Sequence, residues 1–140
     1  MYPSAVPQTH PLTLPILEET LAMVRLAANA PVPEWVVGTD FLSVTRTQRE
    51  LSIVCRDEAV PAEVTEVQRG FRCLAVVGTL DFAQIGIIAA LADPLAAAEV
   101  PIFGISTYDT DHLLIHKARL ERAVAVLRAA GHTVREASTP

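Results

Sequence analysis

The stretch Val76-Val-Gly-Thr-Leu-Asp-Phe-Ala-Gln-Ile-Gly86 puts polar groups where an apolar run gives way to a helical pattern. Backbone N–H groups at a helix start attract a carboxylate. An acidic side chain beside them attracts an ammonium. Within this Thr79–Gly86 segment, which includes Ile85, Thr79 donates a hydroxyl to a ligand or simply ends its strand. Asp81 accepts from a ligand ammonium or caps the helix, with Gln84 reaching back in a capping box. Gly86 has no β-carbon, so either a ligand or a neighbouring backbone can come close. A second polar group is Ile105-Ser-Thr-Tyr-Asp-Thr-Asp111. Ser106 and Thr107 can donate at a strand end, to a ligand or across strands. Asp109 and Asp111 would share a face and repel on a regular strand, so Asp109 is assigned to a turn.

Catalytic patterns are missing by comparison. His10, His112, His116 and His132 are scattered, with no HExxH. On a strand His112 and His116 would share a face, but no third ligand accompanies them, so no metal site is expected. Neither GxxxxGK[ST] nor GxGxxG occurs, and no cofactor is expected. Ser and Cys nucleophiles have no identifiable base, so the chain reads as a non-enzyme. Cys55 and Cys73 read as small buried hydrophobes. Trp35 reads as a core or domain-packing residue, or else an interface anchor.

Composition narrows the class further. The 140 residues carry 11 basic and 16 acidic side chains, a formal charge of −5, with 51% apolar and 5% aromatic residues. That is too apolar for disorder, and too acidic and poor in aromatics for nucleic-acid binding. The longest apolar stretch, Ile85 to Val100, is interrupted by Asp93, Pro94 and Glu99, so no membrane span is expected. With no leader-like N-terminus and only two cysteines, a cytoplasmic protein is expected.

The elements that must position these groups follow from pattern. Leu12–Leu17 reads as a strand, at an edge or starting a sheet strand because of Pro15. Glu18–Ala28 has Leu21, Val24 and Ala28 at helical spacing. Phe41–Arg46 and Leu51–Cys55 read as a hairpin around the polar tip Thr47–Glu50. Pro61–Val67 reads as one or two helical turns. In the second half Phe71–Gly78 reads as a buried strand. A helix follows with Ile88, Leu91, Leu95 and Ala98 on one face, with a kink or break expected near Ala92–Pro94. Ile102–Thr107 and His112–His116 read as a hairpin. Arg119–Ala130 reads as a helix burying Leu120, Val124 and Leu127, with Gly131 at C′. Thr133–Glu136 closes the unit as a strand.

The second half therefore spells β-α-β-β-α-β, the ferredoxin-like order. An offset of 61 residues lays Phe41–Thr45 on Ile102–Ser106 and Leu51–Cys55 on His112–His116, a weak internal repeat. The expected organisation is a flexible arm at 1–11, a degenerate unit at 12–69, a second unit at 70–136 and a tail at 137–140. The expected fold class is α+β, two ferredoxin-like (βαββαβ) units in tandem, with antiparallel sheets and helices on one face.

The second half also resembles a known family. Val76-Val-Gly-Thr-Leu-Asp-Phe-Ala-Gln-Ile-Gly-Ile-Ile88, Leu91, Leu95 and Val100-Pro-Ile-Phe-Gly-Ile-Ser-Thr-Tyr-Asp-Thr-Asp111 look like an ACT domain. Glu50-Leu-Ser-Ile-Val-Cys55 and Pro33-Glu-Trp35 look like small stand-alone bacterial tandem ACT proteins, relatives of aspartate kinase regulatory domains and of cytosolic arginine sensors. The resemblance covers roughly residues 12 to 134.

The resemblance implies an amino-acid-binding regulatory protein with no fused catalytic domain. Its output would pass through self-association, as a homodimer, or through an unidentified protein partner. It implies a ligand site at Thr79, Asp81, Ile85, Gly86, Ser106, Thr107 and Asp111. Ser52 and Ile53 would line the same cleft if the repeats pack side by side. Asp111 lies where the arginine sensors place an acidic residue against the ligand side chain. A lone carboxylate there would favour a polar or basic amino acid. The contrasting expectation is an interaction module that binds no ligand and pairs through a sheet edge.

Overall fold

The computed structural model describes residues 11–77 and 86–136. The chain divides into two compact units, one of residues 1–17 with 73–140 and the other of residues 18–72. The Leu12–Leu17 segment, expected with the first half, thus belongs with the second. Among the described residues no helix is long and apolar enough to cross a membrane.

The helical unit takes β1 (Thr13–Ile16), the end of β5 (Val67–Ala75) from Cys73 onward, α1 (Ile87–Ala97), β6 (Phe103–Ser106), β7 (Asp111–His116), α2 (Leu120–Ala129) and β8 (Thr133–Glu136). From Cys73 this is the βαββαβ order. β1 lies between β5 and β8, antiparallel to the first (Ile16↔Leu74) and parallel to the second (Thr13↔Thr133 to Ile16↔Glu136). Pro15, the third residue of β1, therefore sits inside the sheet, neither at an edge nor at the strand start that its presence suggests. Leu17 N donates to Cys73 O and Val77 N to Thr13 O. Alternation puts Pro15 at the rung between them, where its missing N–H leaves out one bond. Burial of Leu14 (0%) and Ile16 (4%) on either side of it outweighs that loss.

Both helices bury against this sheet. Leu91 and Leu95 of α1, and Ala123 and Leu127 of α2, join Leu14, Ile16, Leu74, Val76, Leu113, Ile115 and Val134 in one core. The buried face of α1 is Ile87, Leu91 and Leu95, whereas Ile88, expected on one face with Leu91 and Leu95, is 40% exposed. Pro94 lies within α1 without ending it. Leu91 and Leu95, one turn apart around the proline, are both fully buried, and that packing keeps the turn helical. In α2, Leu120 and Val124 are partly buried against the same core and Leu127 is fully buried. Gly131, with φ +101°, follows the last turn in the left-handed conformation, as its spacing predicts. Its N–H donates to Arg128 O and that of His132 to Leu127 O, a Schellman end. α1 ends the same way, with Glu99 N donating to Ala96 O and Val100 N to Leu95 O, but its left-handed residue is Glu99 at φ +61°.

The other unit orders its strands β3 (Ser43–Arg46), β4 (Leu51–Arg56), β2 (Leu21–Leu26) and the first part of β5, all antiparallel. It has no α-helix among its described residues, only single 3-10 turns at Glu34–Val36 and Asp57–Ala59. The helix expected over Glu18–Ala28 is strand β2. Its apolar residues fit either period, and pairing to β4 on one side and β5 on the other decides for the strand. The helical turns expected over Pro61–Val67 are instead a turn leading into β5, which begins at Val67. The core here is Ala22, Val24, Val36, Leu51, Ile53, Cys55 and Val60, with Trp35 packed beside it. In β5 a bulge at Gly70 (φ +82°) shifts the register to β2. Asp57 clasps it, accepting from Arg69 Nη1 at 2.7 Å and Gly70 N at 2.8 Å.

The two hairpins coincide at an offset of 60 residues, not 61. Ser43↔Val54 matches Phe103↔Leu114, and Arg46↔Leu51 matches Ser106↔Asp111. A one-residue slip would reverse every side chain's face. At 60, buried Ile53, Val54 and Cys55 match buried Leu113, Leu114 and Ile115. The fold is α+β with an antiparallel-rich sheet of ferredoxin-like type. The βαββαβ order is complete in the helical unit, while the other unit keeps the hairpin and flanking strands.

Candidate ligand-binding site

The candidate site is built on the tip of the β6–β7 hairpin and the end of β5. Thr107 N donates to Thr110 O at 2.8 Å, leaving Tyr108 and Asp109 at the tip. Thr107 Oγ1 accepts from Thr110 N at 3.3 Å and donates to Thr110 O at 3.1 Å. Asp109 lies in the turn, as its spacing predicts. Thr47 tightens the first hairpin in the same way, with its N–H donating to Glu50 O and its hydroxyl accepting from Arg49 N and Glu50 N. Two bonds then fasten the second tip to β5. Thr110 Oγ1 donates to Val76 O at 2.8 Å, and Val76 N donates to Asp111 O at 3.1 Å. Thr110 was not among the expected site residues. The T-x-x-T spacing of Thr107 and Thr110 was its available signal, with only the first threonine repeated in the other hairpin, as Thr47.

Ser106 and Asp111 face each other across the hairpin, where the Ser106 hydroxyl donates to Asp111 Oδ1 at 2.6 Å. The serine fixes one carboxylate oxygen, and the charge stays at the half-buried start of β7. Beside it, burial pushes the His112 imidazole below its ordinary pKa, opposed by its backbone hydrogen bond at Ile105 and by the Asp111 carboxylate. The hairpin end thus holds a negative charge next to an imidazole biased toward its neutral form.

Gly86 precedes α1 with φ +86°, and its carbonyl accepts the first helical bond from Ala90 N at 2.8 Å. The left-handed backbone by itself accounts for glycine there. Thr79, Asp81 and Ile85, including Asp81 as a helix cap, lie outside the described residues. Ser52 and Ile53 belong to the other unit. Ser52 is half-buried opposite Thr45 and Arg25. Ile53, expected to line a cleft, is a fully buried core side chain there. The structure brings together Ser106, Thr107 and Asp111 with the newly identified Thr110. At the offset of 60, Asp111 corresponds to Leu51, a fully buried core residue, so the first hairpin has no carboxylate at this position.

Comparisons with known proteins bear on the family and the fold. A family model described as the ACT domain matches residues 66–129, and one described as an N-terminal domain matches residues 19–63. Protein Atu0741 from Agrobacterium tumefaciens is 35% identical, over 94% of this chain and 98% of that one, with a TM-score of 0.87. The human cytosolic arginine sensor for mTORC1 subunit 1 is 28% identical over 134 residues, 84% of this chain and 40% of the sensor. The chain thus spans about two fifths of the length of the curated relatives it matches. The regulatory subunit of aspartate kinase from Thermus thermophilus shares the fold, with a TM-score of 0.55 at 11% identity, over 81% of this chain and 93% of that one. The chain belongs to one family with Protein Atu0741, carries an ACT domain over residues 66–129, is related to the cytosolic arginine sensors and shares its fold with the regulatory subunit of aspartate kinase.

Proposed function

We propose that the protein is an amino-acid sensor without chemistry of its own. It binds a free polar or basic amino acid and signals by forming a homodimer or by engaging a partner chain. The observation that carries the reading is Asp111. Its carboxylate is half-buried and held at one oxygen by Ser106, on a hairpin tied through Thr110 to the end of β5. β5 leads into the segment of Thr79, Asp81 and Ile85, which in this reading supplies backbone N–H groups to the ligand carboxylate and Asp81 to its ammonium. Asp111 then receives the ligand's side chain, as the kinship with arginine sensors supports. A thermal-shift screen over the twenty amino acids tests it. A concentration-dependent rise with polar or basic ligands is expected. Shifts confined to leucine-like ligands would overturn the ligand class.

A second reading rests on β6, which pairs with β7 alone among the described strands and leaves Phe103 39% exposed. Such an edge can accept a strand from another chain. In that reading the protein is an interaction module, and no amino acid moves its melting temperature.

A further inference from the structure

We infer that the unit of residues 18–72 carries a ligand site of its own, a cleft that takes a small organic cation with an apolar stem. The cleft is open to solvent and has a volume of ≈ 460 Å³, within the range of small-molecule sites. Leu26, Trp35 and Val64 provide its apolar lining, and Arg25, Glu63 and Glu66 its charges. Trp35, from the Pro33-Glu-Trp35 motif, is only half-buried beside the core of its unit. Two proline-led turns carry the walls, with Val36 N donating to Pro33 O and Val64 N to Pro61 O. Their fixed φ angles shape the cleft before any ligand arrives.

The charges select the ligand. Arg25 is already engaged, its Nη1 with Glu66 at 3.4 Å and its Nη2 with Arg49 O at 3.1 Å. Glu63 makes no hydrogen bond or ion pair among the described residues. An anion would meet two carboxylates and a guanidinium that is already taken. A neutral apolar guest would desolvate Glu63 without compensation. A cation pairs with Glu63, gains from the electron-rich face of Trp35 and lays its stem along Leu26 and Val64.

Trp35 is the chain's only tryptophan, so its emission reports on this cleft directly. The full-length protein is titrated with n-butylammonium chloride, and with sodium butyrate and n-butanol at matched ionic strength. A saturable emission change with butylammonium only is expected. Glu63→Gln should weaken it by about 2- to 5-fold, the range for an exposed ion pair, and Glu63→Lys should abolish it, both with unchanged far-UV circular dichroism. Asp111→Asn should leave the titration unaltered, which separates this site from the amino-acid site. A response equal for butyrate or butanol, no saturable response, or full affinity in Glu63→Gln overturns the proposal.

Discussion

Replacing Asp111 with Asn tests the proposed amino-acid site most directly, because the structure separates its effect on folding from its expected effect on binding. Asn keeps an acceptor oxygen for the Ser106 hydroxyl, now 2.6 Å from Asp111 Oδ1. Ser106 is exposed and Asp111 half-buried, so the pair contributes at most about 1 kcal/mol to the fold. The backbone bond from Val76 N to Asp111 O is untouched by the change. Binding responds differently. Losing the charge opposite a polar or basic ligand costs about 2 kcal/mol, which is about a 30-fold rise in Kd. At a ligand concentration ~100-fold above the wild-type Kd, the native state gains about 2.7 kcal/mol. In the variant the same concentration gives about 0.9 kcal/mol. For a chain of this size that is a drop from roughly 10 °C to roughly 3 °C in ligand-induced Tm shift. Differential scanning fluorimetry reads both numbers, with the unliganded Tm as the control for folding. A shift undiminished in Asp111→Asn would refute the assignment of Asp111.

Other substitutions test the scaffold. Glu99→Gly should stabilise by about 0.5–1 kcal/mol in urea melts, because Glu99 holds φ +61° where glycine is unstrained. The Arg119 bond goes to the Glu99 backbone oxygen and survives the change. Asp57→Ala should destabilise by about 2 kcal/mol in the same assay, since it strips Arg69 of its carboxylate and leaves the buried Gly70 N–H unpartnered. The thiols set an alkaline limit. Burial foremost, then Asp57 and Glu19, pushes Cys55 up to about 11 against Arg56 and Arg69, and burial pushes Cys73 up to about 12. Both folded values lie above the ordinary value near 9, so the native state holds protons that the unfolded chain releases. Stability should therefore be unaffected by these groups below about pH 9 and decline as pH rises toward 11 to 12, and a Cys55→Ala, Cys73→Ala variant should flatten that decline.

The second half of the chain was legible because its signals are local and agree with one another. A continuous apolar strand, two amphipathic helices and a glycine at a helix end each point to one structure, and β6, β7, α2 and β8 lie within a few residues of their expected places. The first half was less legible. Leu21–Leu26 fits a helical period as well as a strand, and only its pairing on both sides decides. The repeat was visible but one residue out of register, because the short apolar runs align about equally well at 60 or 61.

The candidate site divides along the same line. Asp109 in a turn and Asp111 on a strand follow from two like charges that cannot share a face. That Ser106 holds Asp111, and that Thr110 ties the tip to Val76, depends on a contact 34 residues apart in sequence. Gly86 shows the limit most clearly, since a missing β-carbon can serve packing, ligand approach or a left-handed backbone, and the observed φ of +86° supplies the last. The sequence alone determined residue types, local periods and the charge available to a ligand, for these are properties of neighbours along the chain. The tertiary structure decided which strand lies beside which. That β1 joins the helical unit, with Pro15 inside its sheet, follows from burying Leu14 and Ile16, a gain that exists only once distant segments meet.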